Sequence, residues 1–142
     1  MERIAWAPQM AVGIPTIDLA HQALIGQIAR LLDQPDRQFE QGLAALVEHL
    51  ETDFREEELL MEEIDYPGIP AHREQHARVL ATLHGLAPED LAAARRAVSL
   101  LPLWFQAHLA TMDAALAIAL QLAGNALGLS GDAVLLAGPA SV

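Results

Sequence analysis

The hydrophobic positions of this chain recur at steps of three and four residues, the spacing of one face of an α-helix. Four such stripes follow one another along the chain: Ile17-His21-Leu24-Ile28-Leu31, Leu43-Leu46-Leu50-Asp53-Glu57-Leu60, His72-His76-Val79-Leu83 and Leu101-Trp104-His108-Met112. Each stripe contains an imidazole or a carboxylate, and burying such a group is costly unless it is paired or binds a metal. The pattern therefore predicts four packed helices with polar chemistry inside their core.

Prolines and glycines separate the four stripes and set the expected ends of the helices. We expect helices from about 15 to 33, from 36 to 64 and from 70 to 83, and a fourth that opens at 88–90. Gly85 is expected to end the third helix in a left-handed conformation. Pro102 is expected to kink the fourth helix or divide it in two. Short loops imply antiparallel neighbours, so the predicted fold is all-α, an up-down-up-down four-helix bundle.

The last apolar stretch runs without a charge from Ala114 to Leu129. It is shorter than the ~20 residues that a membrane-spanning helix needs, so we expect an extended apolar C-terminal helix and no membrane partner. Such a helix buries its face on the bundle or on another subunit, which predicts a homo-oligomer. The bundle domain is expected to occupy residues 1–130, followed by a loosely held, flexible tail from 131 to 142.

Composition narrows the classes of function. The chain has no cysteine, which excludes disulfides, thiolate metal sites and cysteine nucleophiles. Its formal charge of -11 argues against nucleic acid as a partner, because phosphates would be repelled. All its basic residues are arginines, and they form no polybasic patch for a membrane surface. The N-terminus lacks a secretory pattern, so a cytoplasmic location is expected.

Two pairs of polar residues lie one helical turn apart, Asp53 with Glu57 and His72 with His76. Residues four apart share a helix face, so the two imidazoles can reach a single metal ion. A carboxylate has two oxygens and can bridge two ions. Helical bundles that hold paired metals direct carboxylates and histidines inward from facing helices in this way. The acids on either side of Glu57 fall off the stripe and are expected to face solvent.

Several fragments occur in a fixed order along most of the chain. They are Gly13–His21, Phe54–Met61, Tyr66-Pro67 with His72–His76, and Trp104–His108 with Asp113 five residues on. In this order and spacing they resemble the bacterial hemerythrins, a family of non-heme di-iron proteins. The resemblance extends from about Trp6 to Asp113, and the ordered set is far more specific than any one fragment.

The resemblance implies a ligand for most of the polar positions in the stripes. The three-histidine shell of one iron would be His72, His76 and His108. The carboxylates that bridge both irons would be Glu57 and Asp113. His21 would be a histidine of the second iron, where dioxygen binds in the family. The implied cofactor is two iron ions joined by an oxo or hydroxo bridge, with manganese as the alternative metal.

The chain departs from the family pattern at Asp53, where a histidine usually stands before the phenylalanine of the second helix. Asp53 is either a metal ligand, a contact to the metal through water, or an acceptor of a hydrogen bond from His21 or His49. His49 stands one turn earlier, where the family often has an aromatic residue. We expect His49 to contact a ligand residue and not the metal.

Three functions are compatible with this reading. The first is binding of dioxygen or a related small ligand at a carboxylate-enriched site, for storage, delivery or sensing. The alternative is an enzyme, a di-metal oxidase, peroxidase or oxygenase that reacts with dioxygen or peroxide at the altered second site. An added anionic oxygen would stabilise ferric over ferrous iron and favour that alternative. The third is a structural role in which the metal pair never turns over.

Overall fold

The computed structural model describes residues 5–126, and its regular structure over that range is entirely helical. A short 3-10 turn at Pro8–Met10 precedes the first long helix. The helices are α1 (Pro15–Leu32), α2 (Asp36–Glu63), α3 (Ile69–His84), α4 (Leu91–His108) and α5 (Ala114–Ala126), with a π-helical turn at Leu109–Asp113 joining the last two. The four predicted helices are confirmed. The predicted domain boundary at 130 and the tail from 131 to 142 lie outside the described residues.

The helices form the predicted all-α four-helix bundle. α1 packs against α2 and α4, and α2 packs against α3. Short connections separate successive helices, so neighbours run antiparallel. The Asp90 carboxylate caps α4 by accepting a hydrogen bond from the Ala93 backbone N–H at 3.0 Å.

The predicted left-handed end of α3 is wrong, and so is the predicted division of α4. Gly85 has a φ of -80°, so it ends α3 in a right-handed turn in which its N–H donates to the Ala81 carbonyl. A glycine is permitted the left-handed region but is not compelled to adopt it. α4 is not divided at Pro102, because the proline removes one hydrogen bond while Val98, Leu101 and Phe105 remain buried on both sides of it. The other expectation for Pro102, a kink in the helix, stays a prediction.

The polar residues of the stripes form a layer between two apolar clusters. Buried residues such as Leu24, Leu50, Val79 and Phe105 belong to the larger cluster. The smaller cluster is made by Ile14, Ile17, Leu60, Met61, Leu116, Ala117 and Leu120. On both α1 and α2, the polar residue of the stripe has a residue of the larger cluster on one side and a residue of the smaller cluster on the other. The two clusters therefore shield the polar side chains from water.

The extended C-terminal helix buries one face on the bundle. Leu116, Ala117 and Leu120 of α5 lie in the smaller cluster, whereas Ile118 and Leu122 are exposed. By length and composition the continuous helix from Leu91 to Gly124 is one that could cross a membrane, a test that core helices also pass. Self-association through the exposed face, and the expected lack of a membrane partner, stay predictions.

Candidate metal centre

Three imidazoles converge in the polar layer. His72 and His76 extend from one face of α3, one turn apart, and His108 faces them from the end of α4. The Nε2 atom of His108 lies 3.1 Å from Nε2 of His72 and 3.2 Å from Nε2 of His76. All three side chains are buried. Three ring nitrogens so close together have their lone pairs in one small volume, as ligands of a single ion do.

Glu57 and Asp113 each direct one oxygen at these imidazoles. Glu57 Oε1 lies 2.7 Å from His72 Nε2 and 3.4 Å from His76 Nε2. Asp113 Oδ1 lies 3.0 Å from His72 Nε2 and 3.3 Å from His108 Nε2. These three nitrogens and two oxygens make up what we term the three-imidazole half of the centre.

The other oxygen of each carboxylate faces His21. His21 Nε2 lies 3.6 Å from Glu57 Oε2 and 3.5 Å from Asp113 Oδ2. We term this group the His21 half. Because each carboxylate divides its oxygens between the two halves, Glu57 and Asp113 could each offer one oxygen to each of two ions.

The buried donors suit metal ions better than they suit each other. Both oxygens of Asp113 are buried and make no hydrogen bond within the described residues, although three ring nitrogens lie near them. Such orphaned groups are rare in native proteins and call for an unseen partner. Nitrogen and oxygen donors without thiolates fit iron and manganese. The residues present therefore fit a pair of such ions.

The π-helical turn explains how Asp113 reaches the centre. Five residues along an α-helix correspond to a rotation of about 140° away from the starting face. The regular stripe accordingly predicted an inward position at Met112, yet Met112 is half-buried while Asp113 is fully buried. In the π-helical turn the hydrogen bonds span five residues, so His108 and Asp113 share one face.

A cavity of about 330 Å³ opens beside the His21 half. His21 and Asp53 lie in its wall, together with the apolar residues Ile17, Leu24, Phe54 and Leu60. A small molecule in this cavity would contact the His21 half, whereas His72, His76 and His108 are not part of its wall.

Comparison with known proteins agrees with this geometry. The family model described as the Hemerythrin HHE cation binding domain matches residues 12–119. The chain belongs to the hemerythrin family. A bacteriohemerythrin from Ralstonia nicotianae (strain ATCC BAA-1114 / GMI1000) is 33% identical over 117 residues, which cover 80% of this chain and 85% of that protein. No solved structure matches the chain.

Membership of the hemerythrin family implies a metal-binding site, typically for iron, and the two buried groups of donors provide one. The first contains Glu57, His72, His76 and His108, and the second contains His21, Glu57 and Asp113. The structure thus brings together all the predicted ligands except Asp53. Assignment of each residue as a ligand stays a prediction.

Asp53 lies outside both halves and faces His49. Its Oδ2 is 3.3 Å from His49 Nε2, and His49 Nδ1 in turn forms a hydrogen bond with Gln27 Oε1. Burial raises the pKa of Asp53, against the opposing effect of His49. The predicted contact between His49 and a candidate ligand residue is thereby present. Direct ligation by Asp53 remains a prediction.

Two residues that the sequence did not single out form hydrogen bonds with the candidate ligand imidazoles. The Nδ1 atom of His76 forms a hydrogen bond with Glu58 Oε2 at 2.9 Å, and that of His108 with Gln75 Oε1 at 2.8 Å. In metal sites, such bonds direct the opposite nitrogen, Nε2, at the metal, and here they would orient both rings for that role. The expectation that Glu58 belongs to the solvent-facing acids is wrong. Glu58 contacts His76 because α2 packs against α3. No spacing in the sequence predicts that contact.

We expect the variant Glu58→Gln to weaken metal binding by about 10–100-fold, as loss of an outer partner of a ligand usually does. Without the carboxylate, the imidazole of His76 is a poorer donor, so the reduction potential should rise. Metal competition titration and potentiometry would measure both effects. Glu62→Gln is the matched control, because Glu62 bonds Arg73 without touching His76. Equal potentials for the two variants would exclude this role for Glu58.

The carboxylates shift the pKa values of the imidazoles they face. Burial lowers the pKa of His72, but the neighbouring carboxylates of Asp113 and Glu57 outweigh it and raise the pKa to about 9. The pKa of His21 is raised as well, because Glu57 and Asp113 overcome its burial. Burial opposes ionisation of Glu57, yet the surrounding imidazoles hold its pKa well below the usual value. In the metal-free protein we therefore expect His72 and Glu57 to form a buried ion pair.

These shifts predict opposite effects of pH on the metal-free protein and on metal binding. The raised His72 pKa stabilises the metal-free fold fully below 6.5, and this contribution is lost as pH rises through about 9. The lowered Glu57 pKa contributes above 4.5 and is lost as pH falls. Metal needs neutral imidazoles, so its affinity should increase from pH 6 to about 9. Urea unfolding and metal titration across this range test both trends, and His72→Gln should flatten them.

Proposed function

We propose that this chain binds dioxygen, or a related small ligand, at a pair of iron ions for storage, delivery or sensing. The observation that carries the proposal is the division of Glu57 and Asp113 oxygens between the two halves. A bound iron pair would supply the electrons with which dioxygen is held. The residues supply a buried, preorganised set of donors and exclude water from it.

The two halves differ in their number of donor atoms, and this difference supports binding of the small ligand at the His21 half. Three nitrogens and two oxygens surround the three-imidazole half, whereas one nitrogen and two oxygens form the other. The second half is therefore open on the side of the cavity, as sites that bind ligands keep an open position. Ile17, Phe54 and Leu60 give the ligand an apolar surrounding.

The second candidate is an oxidase, peroxidase or oxygenase, and two features of the cavity favour it. Asp53 places a carboxylate in the cavity wall beside His21. The volume of about 330 Å³ lies at the lower end of the ~300–1,000 Å³ typical of small-molecule pockets and exceeds what dioxygen needs. An organic substrate of modest size would fit there.

We expect close to two transition-metal ions per chain, with a loss of stability when they are removed. Each ion binds the folded chain and not the unfolded one. At a free-ion concentration a thousandfold above Kd, this binding raises the free energy of unfolding by about 4 kcal/mol. Metal analysis and thermal unfolding with and without chelator would measure this. A single ion per chain, or no response to chelation, would contradict the proposal.

The visible spectrum after air is admitted to the anaerobically reduced, iron-loaded protein separates the candidate functions. A new band that disappears when dioxygen is removed supports reversible binding. Rapid conversion to a ferric spectrum with release of peroxide supports the enzyme. A spectrum unchanged by air would contradict both and leave a structural role. The variant His21→Ala should keep the metal of the three-imidazole half and lose the response to air.

A further inference from the structure

Arg73 is linked to His76 through the carboxylate of Glu58. The Nε atom of Arg73 donates a hydrogen bond to Oε1 of Glu58 at 2.9 Å, and the other oxygen, Oε2, accepts one from Nδ1 of His76, also at 2.9 Å. A second nitrogen of the same guanidinium bonds Glu62. One carboxylate of α2 is therefore shared between a guanidinium and a candidate ligand imidazole that lie three residues apart on α3.

Of the three imidazoles, only His76 has a charged hydrogen-bond partner at Nδ1 within the described part of the chain. The Nδ1 atom of His108 bonds the neutral amide of Gln75, and that of His72 is buried without a partner. A hydrogen bond with a carboxylate strengthens an imidazole as a metal donor. With the full charge of Glu58 behind it, His76 would be the strongest nitrogen donor of the three and would favour ferric over ferrous iron.

The ring of His76 does not depend on Glu58 alone for its orientation. Phe54 stacks on it with the ring centroids 3.9 Å apart and an interplanar angle of 1°, and both side chains are buried. The side chain of Arg73, in contrast, is 44% exposed, so water and salt screen its direct field at the centre. Its effect should therefore pass through the hydrogen bond with Glu58 and change the donor strength of His76 more than the position of the ring.

We propose that Arg73 tunes the iron of the three-imidazole half by neutralising part of the charge of Glu58. The guanidinium attracts electron density of the shared carboxylate, so Glu58 attracts the Nδ1 proton of His76 less strongly. The Nε2 atom of His76 is then a weaker donor and stabilises ferric iron less. Arg73 thus keeps the reduction potential high and favours the ferrous state. The inference rests on the proposed iron pair and adds a positioning residue to it.

The reduction potential of the iron-loaded, full-length chain tests the inference. Arg73→Gln should bind ferric relative to ferrous iron about threefold more strongly, a fall of about 28 mV at 59 mV for each tenfold change. The effect is smaller than the roughly 10–100-fold expected for a direct partner of a ligand, because Arg73 is one hydrogen bond further away. Arg78→Gln is the matched control: it removes the same charge from α3, where the exposed Arg78 bonds Glu74, and should keep the potential of the wild type.

The double variant with Glu58→Gln separates an effect through Glu58 from a direct effect of charge. If Arg73 acts through the shared carboxylate, Arg73→Gln should hardly change the potential once Glu58 has been replaced. The protein loaded with zinc(II), which is diamagnetic, gives a second measurement by NMR. The Nδ1 proton of His76 should move downfield in Arg73→Gln, because its hydrogen bond with the released carboxylate is stronger.

The outcomes distinguish this inference from the function on which it rests. An unchanged or raised potential in Arg73→Gln, an equal fall with and without Glu58, or an unmoved Nδ1 proton would overturn the inference and leave the iron pair in place. Fewer than two iron ions per chain in the wild type would overturn the two-iron function instead, and metal analysis gives that result before any potential is measured.

Discussion

The variant Glu57→Ala is expected to lose both metal ions and most of the stability that they confer. Glu57 offers one oxygen to each half, so its removal takes a ligand from both ions at once. Metal affinity should fall by more than the roughly 10–100-fold that follows from losing a residue hydrogen-bonded to a ligand. Without Glu57 the buried imidazole of His72 also loses its shortest carboxylate contact, at 2.7 Å.

The metal-free form of Glu57→Ala should be less stable than that of the wild type. Removing one partner from a buried ionic group typically costs about 3–5 kcal/mol, because the remaining charge has no compensation. Metal analysis and urea unfolding with chelator would measure the two effects separately. Glu56→Ala, at the exposed position next to it, is the control and should behave as the wild type. Retention of two ions by Glu57→Ala would exclude the bridging role.

The variant Asp53→His is expected to slow oxidation of the iron-loaded protein and to prolong reversible retention of dioxygen. The exchange replaces an anionic oxygen by a neutral nitrogen in the wall of the cavity beside His21. Less negative charge near the second ion favours the ferrous over the ferric state. A tenfold slower oxidation would correspond to an increase of about 1.4 kcal/mol in the barrier.

Asp53→Ala separates a ligand from a neighbour of the metal. If Asp53 binds the second ion, this variant should retain the iron of the three-imidazole half and hold the other more weakly. His49 then loses the carboxylate that lies 3.3 Å from its Nε2. Metal content and the rate of oxidation in air would be compared with those of the wild type. Should both variants match the wild type in both measurements, Asp53 has no role at the metal.

The local arrangement of the chain could be predicted from the sequence alone. Pro35 indicates where the first helix ends and residues 88–90 indicate where the fourth begins, because these residues act on the chain directly beside them. The stripes that contain His21, Glu57 and the pair on α3 follow from the helical repeat, which is also local. The fold class and the family came from the same short-range spacing combined with the order of the fragments.

The tertiary structure decided which partners each polar group meets. Glu58 and Gln75 reach their imidazoles through the register of one helix against another, and no local repeat records that register. Asp113 turns inward only because the chain forms a π-helical turn before α5. The sequence alone left Asp53 open among three roles, and packing placed it against His49. Periodicity along one helix determines which face is buried, whereas contacts between helices determine which atoms meet across it.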